Sequence, residues 1–199
     1  MSEKEVENLA KKAIEDEDSF KDLLNNLLSK NETLRYNSFK AILIISEKDP
    51  HILYSQWDFF VKLLDSKNAF HRSEGLNIIA RLTKIDKENK FEDLFEKYYS
   101  LLNDDKIMIA AHIAEASGII AMAKPNLQTR ITEKLLSIDN THFDQQRKDL
   151  IKAGAIISFE KYFKESKDKE RIVQFVKNQL NCQSPKTQKI AKEFLKKMV

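Results

Sequence analysis

The chain has 199 residues, of which 42% are hydrophobic and 33% are charged, and its formal net charge at pH 7 is +3. This apolar content excludes a chain that stays disordered for lack of a core, and the single cysteine, Cys182, excludes an internal disulfide and a thiolate metal cluster. Only three glycines and three prolines are present. Tight turns need these residues, so the composition predicts helices almost throughout.

The N-terminal residues, MSEKEVENLA, are charged and contain no apolar stretch typical of a signal peptide. The longest uncharged apolar run in the first third of the chain covers residues 41–45, which is far too short to span a bilayer. We therefore expect a soluble, cytoplasmic protein with no membrane partner. Residues 1–18 are predicted to form an N-terminal cap helix.

Leucine pairs that close an apolar helix before a short polar turn recur along the chain. They are Leu27-Leu28, Leu63-Leu64, Leu101-Leu102 and Leu135-Leu136, with a weaker copy at Gln179-Leu180. Successive copies lie 34 to 44 residues apart, a period typical of two stacked helices and two turns. We therefore predict a single repeat domain over 1–199, with helix pairs over about 19–50, 51–87, 88–125, 126–165 and 166–199.

Apolar residues recur every three or four positions in the predicted second helices, as in an amphipathic helix and not in a strand. In the first repeat the expected buried face is Leu34, Phe39, Ile42 and Ile45. Asn37 and Lys40 are expected on the opposite face. Short oxygen side chains such as Asn68 and Ser184 precede predicted helices and are expected to cap them.

All three glycines lie inside predicted second helices, at Gly75, Gly118 and Gly154. Glycine in a helix interior costs about 0.5–1 kcal/mol relative to alanine, so each position needs a reason. None has the spacing of a phosphate-binding loop. We therefore predict that neighbouring helices approach closely at these three positions.

The pattern resembles the HEAT-type, armadillo-like α-solenoid family, whose unit is two antiparallel helices with an Asp in the turn and an Arg early in the second helix. The second repeat, LLDSKNAFHRSEGLNIIARL, carries Asp65 and Arg72, and the first keeps Arg35. The third has Asp104 and Asp105 but Ile109 in place of the Arg, the fourth has Asp139 and a displaced Arg147, and the fifth has neither. The resemblance implies an all-α, right-handed α-α superhelix of about five helix pairs.

No motif for catalysis, metal binding or cofactor binding is found. The four histidines fall in different repeats without HExxH spacing, and Cys182 has no nearby histidine to activate it. Trp57 and Tyr99 are expected in the core. We therefore expect neither enzymatic activity, nor a cofactor, nor a small-molecule substrate.

The first functional hypothesis is a non-enzymatic HEAT-repeat scaffold that binds a protein partner through its concave or edge surface, because solenoids present extended binding surfaces of this kind. The candidate partner-binding residues are polar side chains opposite the apolar faces of the second helices. They are Lys40, Asn77, Arg81, Glu115, Lys148 and Lys152.

The alternative hypothesis is nucleic-acid binding, as in the AlkD-like DNA glycosylases, which are also short HEAT-like arrays. Residues 161–199 carry eleven Lys or Arg and four acids, whereas residues 1–33 carry nine acids and five lysines. A basic C-terminal end is suited to anionic partners, but it also suits a solvated cap. Alignment of Lys148 and Lys152 with Lys189 on one surface would favour DNA or RNA. HEAT-repeat lyases of bilin chromophores rank third, because their repeats are shorter and richer in alanine.

Overall fold

The computed structural model describes residues 1–199 and contains twelve α-helices, five short 3₁₀ helices and no strand. The prediction of an all-helical chain is confirmed. The α-helices are α1 (Glu3–Glu15), α2 (Glu17–Asn26), α3 (Glu32–Lys48), α4 (Pro50–Tyr54), α5 (Trp57–Leu63), α6 (Ala69–Leu82), α7 (Lys90–Ser100), α8 (Ile107–Ala123), α9 (Gln128–Leu136), α10 (Gln145–Tyr162), α11 (Lys169–Asn178) and α12 (Pro185–Met198). The 3₁₀ helices are Thr83–Ile85, Leu101–Asn103, Pro125–Leu127, Ser137–Asn140 and Gln179–Asn181. None of the helices combines the length and the apolar character needed to cross a membrane.

Two helices, α6 and α12, begin at the side-chain caps expected from the sequence, whereas α8, which follows Asp104 and Asp105, begins without a side-chain cap. The Asn68 side chain accepts a hydrogen bond from the Phe70 N–H at the start of α6, and Ser184 accepts one from the Thr187 N–H at the start of α12. Pro185 occupies the first turn of α12, where its missing N–H is not needed. The predicted caps at these two positions are confirmed.

The helices group into two compact units, Met1–Glu88 and Asn89–Val199. In the first unit, α3 lies at the centre and packs against α1, α2, α4 and α6, while α6 also packs against α5. In the second unit, α10 lies at the centre and packs against α8 and α12, and α11 packs against α12. The helices at these two centres belong to the predicted second helices of their repeats.

The first unit contains two copies of one turn. Arg35 donates from Nη1 to the Ser29 carbonyl oxygen at 3.4 Å, and Arg72 donates in the same way to the Ser66 carbonyl at 2.8 Å. Both arginines reach back six residues. Asn31 caps α3 as Asn68 caps α6. The sequence Ser-Lys-Asn therefore builds the same turn before both second helices.

The glycines lie where other helices come within contact distance. A Cβ atom at Gly75 would lie 2.8 Å from the Phe60 carbonyl oxygen of α5. One at Gly118 would lie 2.8 Å from the Ser158 Cα of α10, and one at Gly154 would lie 3.0 Å from the Ala111 carbonyl oxygen of α8. The predicted close approach is confirmed. Between α8 and α10, each helix contributes a glycine at which the other helix comes close.

The observed burial of Trp57 and Tyr99 matches the prediction from the sequence, but the burial of two residues of α3 does not. Trp57 and Tyr99 are 4% and 3% exposed, so both belong to the core as expected. Leu34, expected on the buried face, is exposed, and Asn37, expected on the opposite face, is buried. The reason is that α3 packs against helices on several sides, so its buried arc is wider than one amphipathic stripe.

Candidate binding face of the first unit

The structure places three of the six predicted partner-binding residues on two adjacent helices. Lys40 lies on α3, and Asn77 and Arg81 lie on α6, which packs beside it. Lys40 and Asn77 are separated by the same number of residues as Arg35 and Arg72. Lys40 and Asn77 therefore hold equivalent positions in successive repeats. Together with two aromatic residues, Tyr36 and Phe70, they form what we call the α3–α6 face.

Tyr36 and Phe70 are large aromatic side chains that remain exposed on this face, at 59% and 49% of their surface. The Lys40 Nζ lies 4.8 Å from the centroid of the Tyr36 ring. The Arg35 guanidinium carbon lies 4.7 Å from the centroid of the Phe70 ring. Each ring is thus held by a cation–π contact. Aromatic side chains held at a surface in this way are typical anchors of protein interfaces.

Asn77 and Arg81 extend the face along α6. Asn77 donates from Nδ2 to the Ser73 carbonyl at 2.9 Å, and Arg81 donates from Nη1 to the Asn77 carbonyl at 3.4 Å. Both side chains are half-buried. Neither Lys40 nor Arg81 forms an ion pair. Two cations of the face are therefore without an acidic partner in the chain.

Two ionisable side chains, Arg35 and Glu74, are buried together next to Phe70. The Arg35 Nε lies 3.5 Å from the Glu74 Oε1, with both side chains 7% exposed. The Arg35 Nε and the Glu74 Oε2 make no hydrogen bond. Burial raises the pKa of Glu74 to about 8, and the Arg35 charge opposes this only in part. Glu74 is consequently mostly protonated at neutral pH.

His71 belongs to the same cluster. Its Nδ1 lies 3.1 Å from the Ser66 hydroxyl, whereas its Nε2 is buried without a hydrogen-bond partner. Burial lowers the pKa of His71, and the nearby Arg35 charge lowers it further. The imidazole is therefore neutral at pH 7. His71 therefore adds no charge to the pair of Arg35 and Glu74.

The other three predicted residues lie in the second unit. Glu115 is exposed on α8, and Lys148 is half-buried on α10. Lys152 is only 3% exposed, and its Nζ lies 2.6 Å from the Asp139 Oδ1 and 3.8 Å from the Asp149 Oδ1. The expected surface position of Lys152 is corrected, because α10 is enclosed at this position and the ammonium is paired inside the fold.

The lysines of the basic C-terminal segment are partly engaged within the second unit. Lys189 pairs with Glu193 at 3.9 Å, and Lys197 pairs with Glu160 of α10. A shallow groove of about 280 Å³ is lined by three lysines and two apolar side chains. Its lining residues are Phe163, Lys164, Lys169, Lys197 and Met198.

Sequence patterns did not identify Tyr36, Phe70 or Glu74 as residues of the face. One signal was present, since Tyr36 and Lys40 are four residues apart and so are neighbours on a helix surface. The exposure of Phe70 and the burial of Glu74 depend on how α6 is rotated against α3, which the residue pattern of α6 does not specify.

No group of three or more His, Cys, Asp or Glu side chains is placed to hold a metal ion. Comparison of the chain with protein-family models, with curated proteins and with solved structures gave no match.

Proposed function

We propose that this chain is a non-enzymatic HEAT-type repeat protein, a right-handed superhelix of about five helix pairs, that binds a protein partner through the α3–α6 face. The repeated Ser-Lys-Asn turn, with its Arg35 and Arg72 hydrogen bonds, supports the repeat assignment. The stacking of α3 beside α6 supports it further, because adjacent second helices line one side of such an array.

The observation that carries the proposal is the pair of half-exposed aromatic rings, each in contact with a cation. Burying Tyr36 or Phe70 in an interface would remove much apolar surface from water, at about 25 cal/mol per Å². The cation–π contacts with Lys40 and Arg35 already restrict the conformations of the Tyr36 and Phe70 side chains before a partner binds. Preordered aromatic side chains lose less entropy on binding.

The test is site-specific photo-crosslinking. A photoreactive amino acid is placed at Asn77 on the face and, in a control protein, at Lys62, which is exposed on α5. Both proteins are added to extract of the source cells, and crosslinked proteins are identified by mass spectrometry. We expect a discrete product at Asn77 that is absent at Lys62 and lost in the Tyr36→Ala/Phe70→Ala variant.

The crosslinked protein is then purified and titrated against the chain. Micromolar or tighter binding that weakens at least about tenfold in Tyr36→Ala/Phe70→Ala would support the proposal. The same products at Asn77 and Lys62, or binding that the double substitution leaves unchanged, would contradict it.

The alternative of nucleic-acid binding has less support. Lys152 is buried and paired with Asp139, so it adds no charge to a DNA-binding surface. The lysine-lined groove beside Phe163 and Met198 is the observation that favours the alternative. Titration with labelled double- and single-stranded DNA at about 50 and about 200 mM salt tests it, because phosphate contacts make affinity fall steeply with salt.

A further inference from the structure

We infer that the partner segment recognised by the α3–α6 face is acidic and carries an aromatic or aliphatic side chain that packs on Tyr36 and Phe70. This inference rests on the proposed function and specifies the chemistry of its partner. It follows from the charges, the apolar surface and the extent of the face.

The two half-buried charged side chains of the face, Lys40 and Arg81, are both cationic. The Lys40 ammonium contacts the Tyr36 ring, and the Arg81 guanidinium contacts only a carbonyl of its own helix, so both keep their charge available to a ligand. The exposed acids of α3 lie toward its ends, at Glu32 in the first turn and Glu47 in the last. Neither of these acids forms an ion pair with Lys40.

The acid buried next to Arg35, Glu74, does not cancel this charge. Glu74 is 5% exposed and faces Arg35 in the interior. Because burial raises the pKa of Glu74 to about 8, its carboxyl is mostly neutral at pH 7, while Arg35 stays charged. The exposed acid Glu32 lies one turn before Tyr36 on α3. The cations Arg35, Lys40 and Arg81 outnumber it, so the face carries net positive charge, which favours carboxylates of a partner and disfavours basic segments.

The exposed aromatic rings of the face favour a ligand that has an apolar side chain as well as acidic ones. Tyr36 and Phe70 each keep about half of their surface exposed, and each is contacted by a cation on one side. An aromatic or aliphatic side chain of the partner, packed on the rings, would bury apolar area. It would also exclude water from ion pairs formed between partner carboxylates and the cations of the face. Exclusion of water strengthens those pairs.

The extent of the face favours a protein segment over a nucleic acid. Two half-buried cations neutralise few phosphates, whereas nucleic-acid binding depends on many phosphate contacts. The N–H and carbonyl groups of an extended peptide could also pair with the Asn77 side chain, which lies one turn before Arg81 on α6. The face therefore matches a short acidic peptide with one or two apolar residues.

The experiment is affinity selection of random displayed peptides of about 12 residues on the purified full chain. Peptides that also bind the Tyr36→Ala/Phe70→Ala variant are removed first. We expect the retained peptides to be enriched in Asp and Glu beside Leu, Ile, Phe or Trp. A selected peptide is then titrated by fluorescence anisotropy against wild type, Lys40→Gln/Arg81→Gln and the control Lys62→Gln, each checked for folding by circular dichroism.

We expect Lys40→Gln/Arg81→Gln to weaken binding roughly fivefold to thirtyfold at about 50 mM salt, and Lys62→Gln to leave it unchanged. Retained peptides without acidic enrichment, or no loss of affinity in Lys40→Gln/Arg81→Gln, would overturn this inference and leave the proposed function standing. Failure to retain any peptide that depends on Tyr36 and Phe70 would overturn both. Displacement of the peptide by oligothymidine at equal charge concentration would show a general anion site and also overturn the inference.

Discussion

Two second helices bury a charged side chain, and the two charges differ in how well they are paired. The Lys152 ammonium lies 2.6 Å from the Asp139 carboxylate. Glu74 lies 3.5 Å from Arg35 and keeps one carboxyl oxygen without a hydrogen bond. A well-paired buried charge stabilises its ionised form, and a poorly paired one favours neutralisation. These two residues should therefore respond differently to substitution.

Stability should fall with pH because of Glu74. Its pKa rises from 4.5 to about 8 on folding, so the stability gained by holding the proton is fully present below pH 4.5 and is lost as the pH rises through about 8. From pH 6.5 to 8 this loss is about 2 kcal/mol. We expect Glu74→Gln, which cannot ionise, to remove most of that decline in urea unfolding measured between pH 6.5 and 9. Glu47→Gln, at an exposed glutamate of α3, is the control, and parallel curves for wild type and Glu74→Gln would contradict the assignment.

We expect Lys152 to contribute to the free energy of unfolding and not to partner binding. Lys152→Met leaves Asp149, which is 1% exposed and accepts from Gln145 and Gln183, without its cation. We expect the free energy of unfolding to drop by about 2–4 kcal/mol. Lys148→Met, one turn away and half-buried, should change it by about 0.5 kcal/mol or less. Equal effects of the two substitutions in urea unfolding would show that the pairing of Lys152 contributes no stability.

At the scale of the elements, the most extensive contact between two helices is that of α8 with α10. Their backbones approach because Gly118 and Gly154 lack side chains, and the Ser158 hydroxyl joins them. That hydroxyl accepts from the Gly118 N–H at 2.8 Å and donates to the Ala114 carbonyl oxygen at 2.5 Å. A larger residue at any of these positions would separate the helices.

The Ser158 hydroxyl should stabilise the contact of α8 with α10. We expect Ser158→Ala to lower the free energy of unfolding by about 1–2 kcal/mol, because buried hydrogen-bonding groups of α8 lose their partner. Ser117→Ala is the matched control, since the Ser117 hydroxyl is also buried but donates within its own helix to the Ile113 carbonyl. Thermal and urea unfolding give the comparison. A larger loss for Ser117→Ala than for Ser158→Ala would contradict the role assigned to Ser158.

At the scale of the whole molecule, the chain consists of two compact units, Met1–Glu88 and Asn89–Val199. Each has its own fully buried apolar residues, such as Ile79 in the first unit and Ile156 in the second. Because most stabilising contacts of a helix lie within its own unit, local opening should follow the unit boundary.

Hydrogen exchange tests this division. Ile79→Val removes one buried methyl group at a cost of about 0.5–1.5 kcal/mol, which should speed amide exchange within 1–88 by roughly twofold to tenfold. The slowest amides of 89–199 should change less. Ile156→Val is the reciprocal control and should act mainly on 89–199. Uniform acceleration over the whole chain in both variants would show that the two units open together.

The sequence alone determined the helical class, the helix caps, the aromatic core and the glycine contacts. Each of these depends on local composition or spacing: a short oxygen side chain before an apolar run caps a helix, and a glycine inside a helix indicates a close neighbour. Three of the predicted surface residues, Lys40, Asn77 and Arg81, also share one face in the structure.

Only the tertiary structure decided which polar side chains are buried and which aromatic ones are exposed. Lys152 and Asn37 fit the polar face of their helices by periodicity, yet both are buried, because a central helix is covered on several sides. Phe70 fits a core residue by composition, yet it is half-exposed above Arg35. The physical reason is that burial depends on the neighbours that a helix acquires in space, and those neighbours are far from it in the sequence.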